Sequence, residues 1–179
     1  MYQQVLDLYT TSMDYEPNSE TTKKFFKIVQ NKLHFAAHGQ TAAETIYHGA
    51  DSNKEFMGLK TFTGKDITKK DVTIAKNYLD ENDLKKLNTL VSGYFDFAEL
   101  QAMNLKPMKM KDYIDNLDKI LGATDMNILQ NAGSISTEQA KEKALEEYKK
   151  YQAKTLSSIE KNYLETIKEI EKKITEIKK

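Results

Sequence analysis

The chain has 179 residues, 39% hydrophobic and 30% charged, and its 27 basic and 27 acidic side chains give a formal net charge of zero. That length suits one ordinary core plus an extension. With no cysteine it has no disulfide, thiolate metal ligand or cysteine nucleophile, and no apolar run approaches the roughly 20 residues needed to span a bilayer. Every basic residue is lysine, which lacks the planar fork used for bidentate guanine reading and phosphoryl clamping, so base-specific DNA recognition and phosphoryl transfer both lose ground. Zero net charge leaves no global footprint for nucleic acid, and no cleavable signal-like segment follows Met1, so a cytoplasmic protein is expected.

At the start of the chain Val5, Leu6, Leu8 and Tyr9 make an apolar helical face, with no residue before Tyr2 to cap it. The chain therefore reads as beginning mid-protein. Ser19 caps a helix predicted to about Ala37, with Phe25, Phe26, Ile28, Val29 and Leu33 inward and Gly39 as its stop. Thr41-Ala42-Ala43-Glu44 is a capping box that restarts the helix at once, so two helices meet at a tight corner at Gly39-Gln40.

Periodicity disappears from Asp51 to Lys65, where a loop containing Gly58 and Gly64 includes a short extended piece, Leu59 to Thr63, the one place for a small β element. Thr68-Lys69-Lys70-Asp71 resembles a capping box and predicts a helix with Val72, Ile74, Ala75, Tyr78 and Leu79 inward. Asp80 or Asn82 caps the next, running through Leu84, Leu87, Leu90, Val91, Tyr94, Phe95 and Ala98 to about Met103, and Pro107 ends the segment. Tyr113, Ile114, Leu117, Ile120 and Leu121 mark a further helix closed by Gly122, and a shorter one through Met126, Ile128 and Leu129 closes at Gly133.

Ser136 and Gln139 form a capping box for the last element. Its positions Leu145, Tyr148, Gln152, Thr155, Ile159, Tyr163, Ile167, Ile170, Ile174 and Ile177 recur at three- and four-residue steps, close to a heptad seam. Ser157-Ser158-Ile159-Glu160 offers a second box at which that seam bends or breaks. The expected fold is all-α, with about seven or eight helices, at most a small β element in the central loop, and a long C-terminal helix or helix pair. Residues 1–135 form the expected core and 136–179 a coiled-coil-like extension.

Four segments carry a resemblance: QNKLHFAAHGQTAAETIYHGADSNKEFMG (Gln30 to Gly58), DVTIAKNYL (Asp71 to Leu79), YFDFAELQA (Tyr94 to Ala102) and the NAG-IS run around Gly133. Together they resemble the RhuM family of bacterial virulence-associated proteins. The resemblance implies an N-terminal region of DNA-binding character ahead of Met1, so this chain is expected to be the C-terminal domain, contacting DNA through the full-length protein. It brings no established biochemical activity and no cofactor.

The histidines His34, His38 and His48, with Glu44 and Asp51 nearby, stand at spacings that suit metal ligation across a helical hairpin. HxxxH without an internal Glu is not a metalloprotease motif, however, and hydrogen-bonding histidines are the ordinary reading. Gly39, Gln40 and Thr41 precede a helix and offer backbone N–H groups to an anion, as every capped helix start does. His34, Glu44, Asp51, Asp71, Lys76, Asn77, Asp96 and Glu99 are polar positions on otherwise apolar elements. They line one acid/base pocket, as in a metal-assisted hydrolase or a phosphate-ester-binding enzyme, or else form a network that fixes helix packing. Direct nucleic-acid binding would need Lys65, Lys69, Lys70 and Lys76 on one face. The reading favoured by the sequence is non-enzymatic: an assembly domain whose seam at Ile159, Tyr163, Ile167, Ile170, Ile174 and Ile177 self-associates or docks on the N-terminal region, with no membrane involved.

Overall fold

The computed structural model describes residues 12–104 and 106–177; the side chains of 102, 156–159, 161, 164, 168, 169 and 171–177 lie outside that description. The predicted face at Val5, Leu6, Leu8 and Tyr9 therefore falls outside it, as do the side chains of Ile159, Ile174 and Ile177. The described residues form five α-helices, α1 (Glu20–His38), α2 (Ala42–Gly49), α3 (Glu81–Met103), α4 (Met110–Ala123) and α5 (Thr137–Ile177). Three 3₁₀ turns, Glu55–Gly58, Asp71–Thr73 and Ala75–Tyr78, lie between α2 and α3, and there is no strand among the described residues. No helix among them is long and apolar enough to cross a membrane.

The helix starts follow from side chains that accept the orphan N–H groups of a first turn. Ser19 Oγ accepts from Thr22 N at 3.1 Å, and Asp80 Oδ1 from Asp83 N at 2.8 Å, which makes Asp80 rather than Asn82 the cap of α3. Ser136 Oγ accepts from Gln139 N at 3.1 Å while Gln139 Oε1 accepts from Ser136 N at 2.9 Å. At α4 the acceptor comes from far along the chain: Asp14 Oδ1 takes Met110 N–H at 2.8 Å.

Two clusters of buried side chains result. The first packs α1, α3 and α4 through Phe25, Val29, Leu33, Leu87, Val91, Tyr94, Leu117 and Leu121. The second gathers α2, the 3₁₀ turns and the first half of α5 around Ile46, Met57, Val72, Tyr78, Ala140, Ala144 and Tyr148. Residues 137 to about 151 thus belong to the core, and the extension expected from residue 136 begins only beyond them.

Several predicted elements take another form. The segment from Thr68 makes its reciprocal cap, with Asp71 Oδ2 accepting from Thr68 N at 2.9 Å and Thr68 Oγ1 from Asp71 N at 3.2 Å, but no α-helix follows. The β-branched run Val72-Thr73-Ile74 resists helix, and Ile74 is extended at φ −110°, ψ 110°. The Asp71 and Val72 carbonyls accept instead from the Asn77 amide at 3.0 Å and the Tyr78 hydroxyl at 2.8 Å. Leu59 to Thr63 makes no ladder: Leu59 is extended, the chain bends at Lys60 and again at Thr63, and Lys60 N and Thr61 N both donate to the single carbonyl of Asn77.

The short helix predicted at Met126 to Leu129 does not form; Lys32 of α1 reaches across to take the Leu129 carbonyl at 2.9 Å. Helix α4 runs through Gly122 to Ala123, and the chain turns at Asp125, with φ 53°. Helix α5 continues unbroken through Ser157-Ser158, where Lys154 and Leu156 on one side and Glu160 and Lys161 on the other keep helix propensity high. Phe62 pins the central loop, its ring 5.0 Å from that of Phe56 and packed against the second core.

Candidate functional site

Helix α1 has two working faces. Phe25, Val29 and Leu33 turn into the first core, while Gln30, Asn31 and His34 line a cleft of about 300 Å³ closed by α2, the segment Thr73 to Lys76 and the first turn of α5. His34 is 1% exposed, and its Nδ1 lies 3.1 Å from Nε2 of His38, so one ring donates to the other. Burial, and then the neighbouring His38, lower the His34 pKa to about 4, which keeps the ring neutral at neutral pH. Burial also lowers His38, against the pull of Asp83 and Asp80. His48 is exposed and apart, its ring edge-on to Tyr47. A ligand pair would aim both lone pairs at a common ion, whereas here the N–H of one ring points at the lone pair of the other. Among the described residues, no three of His, Asp and Glu gather at a metal-binding spacing.

Glu44 completes the capping box and does more. Its Oε2 accepts from Thr41 N at 2.8 Å, while Oε1 accepts from Ser134 N at 2.7 Å and Ser134 Oγ at 2.6 Å. Burial opposes ionisation of this carboxyl, but the hydrogen bonds from Ser134 and Thr41 outweigh it and hold the pKa at about 2. The contact brings the NAG-IS run onto the start of α2, where Gly133 (φ +87°) sits so close that a Cβ there would stand 2.8 Å from Thr41 Cγ2.

The remaining predicted pocket residues are engaged separately. Asp51 Oδ1 accepts from the Asn53 backbone and amide at 2.9 and 3.1 Å; Asp71 caps Thr68; Asn77 braces the Asp71 carbonyl; Asp96 and Glu99 are exposed on α3. Of the eight, His34 and Lys76 line the cleft together. At the corner proposed for anion binding, Gly39 N donates to the Phe35 carbonyl and Thr41 N to Glu44, and Thr41 is fully buried. Lys27, Gln30, Asn31, Thr73 and Thr137, none of them among the predicted site residues, also line the cleft. The signal was present: Gln30-Asn31 opens the longest of the four quoted segments, at positions helical spacing places beside His34.

Three of those four segments meet around this cleft, Gln30–Gly58 and Asp71–Leu79 in its walls and the NAG-IS run docked against Thr41 and Glu44. The fourth serves the first core, where Tyr94 donates its hydroxyl to the Tyr113 carbonyl at 2.7 Å.

The last feature is the distal part of α5. Every described side chain from Gln152 to Ile170 is exposed, with Tyr163 at 66%, Ile167 at 37% and Ile170 at 48%.

These features define an all-α domain with a two-part core and a terminal helix docked along its first turns, its described side chains from Gln152 to Ile170 exposed. The chain belongs to the Virulence protein RhuM family, whose sequence model matches residues 1–159. Neither the curated proteins nor the solved structures give a match.

Proposed function

We propose that this domain is a cytoplasmic, non-enzymatic assembly module that pairs with a second copy of itself through the distal half of α5. The observation that carries this reading is the apolar stripe on a helix end whose described side chains, Tyr163, Ile167 and Ile170 among them, are exposed. Tyr163, Ile167, Ile170, Ile174 and Ile177 step by four, three, four and three residues, the spacing of a two-helix seam. From residue 136 onward the chain holds eleven lysines and nine glutamates, so the flanks of the seam carry both signs and complement a second identical helix.

The proximal half supplies a rigid base for such a helix. Lys143 donates to the Tyr47 carbonyl at 2.6 Å, Glu147 accepts from Ser52 N at 2.8 Å, and Lys154 donates to Asn53 Oδ1 at 2.7 Å, fixing the helix to the α2 segment before it leaves the core.

Light-scattering mass of the full chain, of a version ending at Tyr151 and of the exposed-site variant Ile167→Lys/Ile170→Lys tests this. A dimeric or larger full chain that becomes monomeric in both altered forms is expected. A full chain that is monomeric at all concentrations would remove self-association as the role.

A further inference from the structure

We propose that the cleft between α1, α2 and the start of α5 binds a small organic phosphate. The argument begins with Asn31. The residue is only 9% exposed, yet its carboxamide makes no hydrogen bond with any described residue and is not sealed from the cleft that it lines. A carboxamide on a nearly buried residue, unpartnered and open to the cleft, is placed to bond a polar group that enters there.

The charge around Asn31 specifies the sign of that group. The cleft is lined by Lys27 and Lys76 and by no carboxylate. A second hollow of about 250 Å³ shares Lys27 and Asn31, adds Lys24 and Lys32, and again has no carboxylate in its lining. In a chain with as many acids as bases, that is a local excess of positive charge. Lys32 is committed to Asp118 at 2.8 Å, and Lys27 lies near enough to Glu138 to help keep that carboxyl ionised, after the residue's own backbone N–H. Lys76 is exposed, and its ammonium forms no hydrogen bond or ion pair with any described residue.

The backbone adds to this field. Ala42 and Ala43 open α2, Thr137 and Ala140 lie in the first turn of α5, and all four line the cleft. Their small side chains let two helix N-termini, each with a partial positive charge, come close to a ligand. The N–H groups of Ala42 and Ala43 have no acceptor among the described residues. Lysine serves phosphate as a point charge, where a carboxylate favours the arginine fork that this chain lacks. Ile46 and Ile74 provide an apolar wall, and about 300 Å³ is at the small end of sites for organic ligands.

Calorimetric titration of the full chain with adenosine monophosphate, glucose 6-phosphate and phenyl phosphate, each beside its dephosphorylated parent, tests the proposal. At least one phosphate is expected to bind saturably while its parent binds about tenfold more weakly or not at all, the value of one charge-assisted contact. Lys76→Glu, at an exposed position that folding tolerates, and Asn31→Asp, nearly isosteric, are each expected to weaken binding about tenfold or more, and Lys65→Glu, outside the lining, to leave it unchanged. Absence of binding by all three phosphates, equal affinity for phosphate and parent, or affinity that survives Lys76→Glu would overturn the assignment.

Discussion

Leu33, Val29, Leu87, Val91, Leu117 and Leu121, each no more than 1% exposed, fill the core between α1, α3 and α4 with branched aliphatic side chains on long amphipathic helices. The core around α2, the 3₁₀ turns and the first half of α5 is made differently. It buries the small side chains of Ala50, Ala140 and Ala144 completely, has glycines where any side chain would collide, and holds its loops by side chains bonded to backbone. Phe56 and Met57 adopt left-handed backbone, at φ 47° and 57°, at a cost of about 1–2 kcal/mol each. Met57, fully buried, offsets part of that through its own burial. The first region derives its stability from apolar area, which tolerates approximate shape. The second derives it from specific short contacts, and it is there that the segments carrying the family resemblance converge.

The comparison is broken most directly by one substitution in each region. Leu117→Ala should cost about 2–5 kcal/mol through a cavity. Gly58→Ala should cost about 2–4 kcal/mol by another route, since Gly58 has φ +81° and a Cβ there would lie 2.6 Å from the Gly49 carbonyl oxygen. Urea denaturation measures both, and amide chemical shifts separate them. Changes from Leu117→Ala should centre on α1, α3 and α4, those from Gly58→Ala on residues 49–78 and the facing turns of α5. If Gly58→Ala proves neutral, the second region is not held by close contact.

A smaller effect comes from the histidine between the two regions. Burial keeps His34 neutral in the fold, whereas the unfolded chain takes up the proton as pH falls below about 6.5. The unfolded state then binds more protons, so stability is full above that pH and declines until the folded His34 itself titrates near pH 4. The loss should reach about 2–3 kcal/mol, with His38 acting in the same direction. Denaturation midpoints from pH 7 to pH 4 should show that slope in the parent and in His48→Gln, and a reduced slope in His34→Gln.

The smallest predicted effect, about 1 kcal/mol after solvent screening, is from Glu44→Gln, which keeps the shape but gives up the charge that three short hydrogen bonds use. Because its folded pKa is depressed to about 2, the Glu44 contribution is complete above about pH 4.5 and is lost as pH falls toward 2, below the His34 window. An acid titration in which Glu44→Gln removes the lower-pH loss and leaves the higher one would separate the two groups.

Much of the helical framework was legible from residues alone. Ser19, Asp80 and the Thr41–Glu44 and Ser136–Gln139 pairs are caps in the structure, and the apolar stripes of α1, α3 and α4 face inward as their spacing implies. Such features are local, decided within one or two turns of chain by which groups can reach which backbone N–H. The family, too, was evident from four short runs.

What only the tertiary structure decided rests on contacts distant in sequence. Lys32 draws the Leu129 carbonyl out of any helix from 97 positions away, and Glu44 reaches 90 positions to Ser134 and so brings the last family segment onto the first. The gathering of Asn31, Lys27 and Lys76 in one cleft, with Glu44, Asp51, Asp71, Asp96 and Glu99 each occupied or exposed elsewhere, likewise follows from how α2 and α5 pack on α1. Periodicity records which face of an element is buried, but not which other element covers it, and that pairing is fixed by close contacts such as Gly133 on Thr41 that have no local signature.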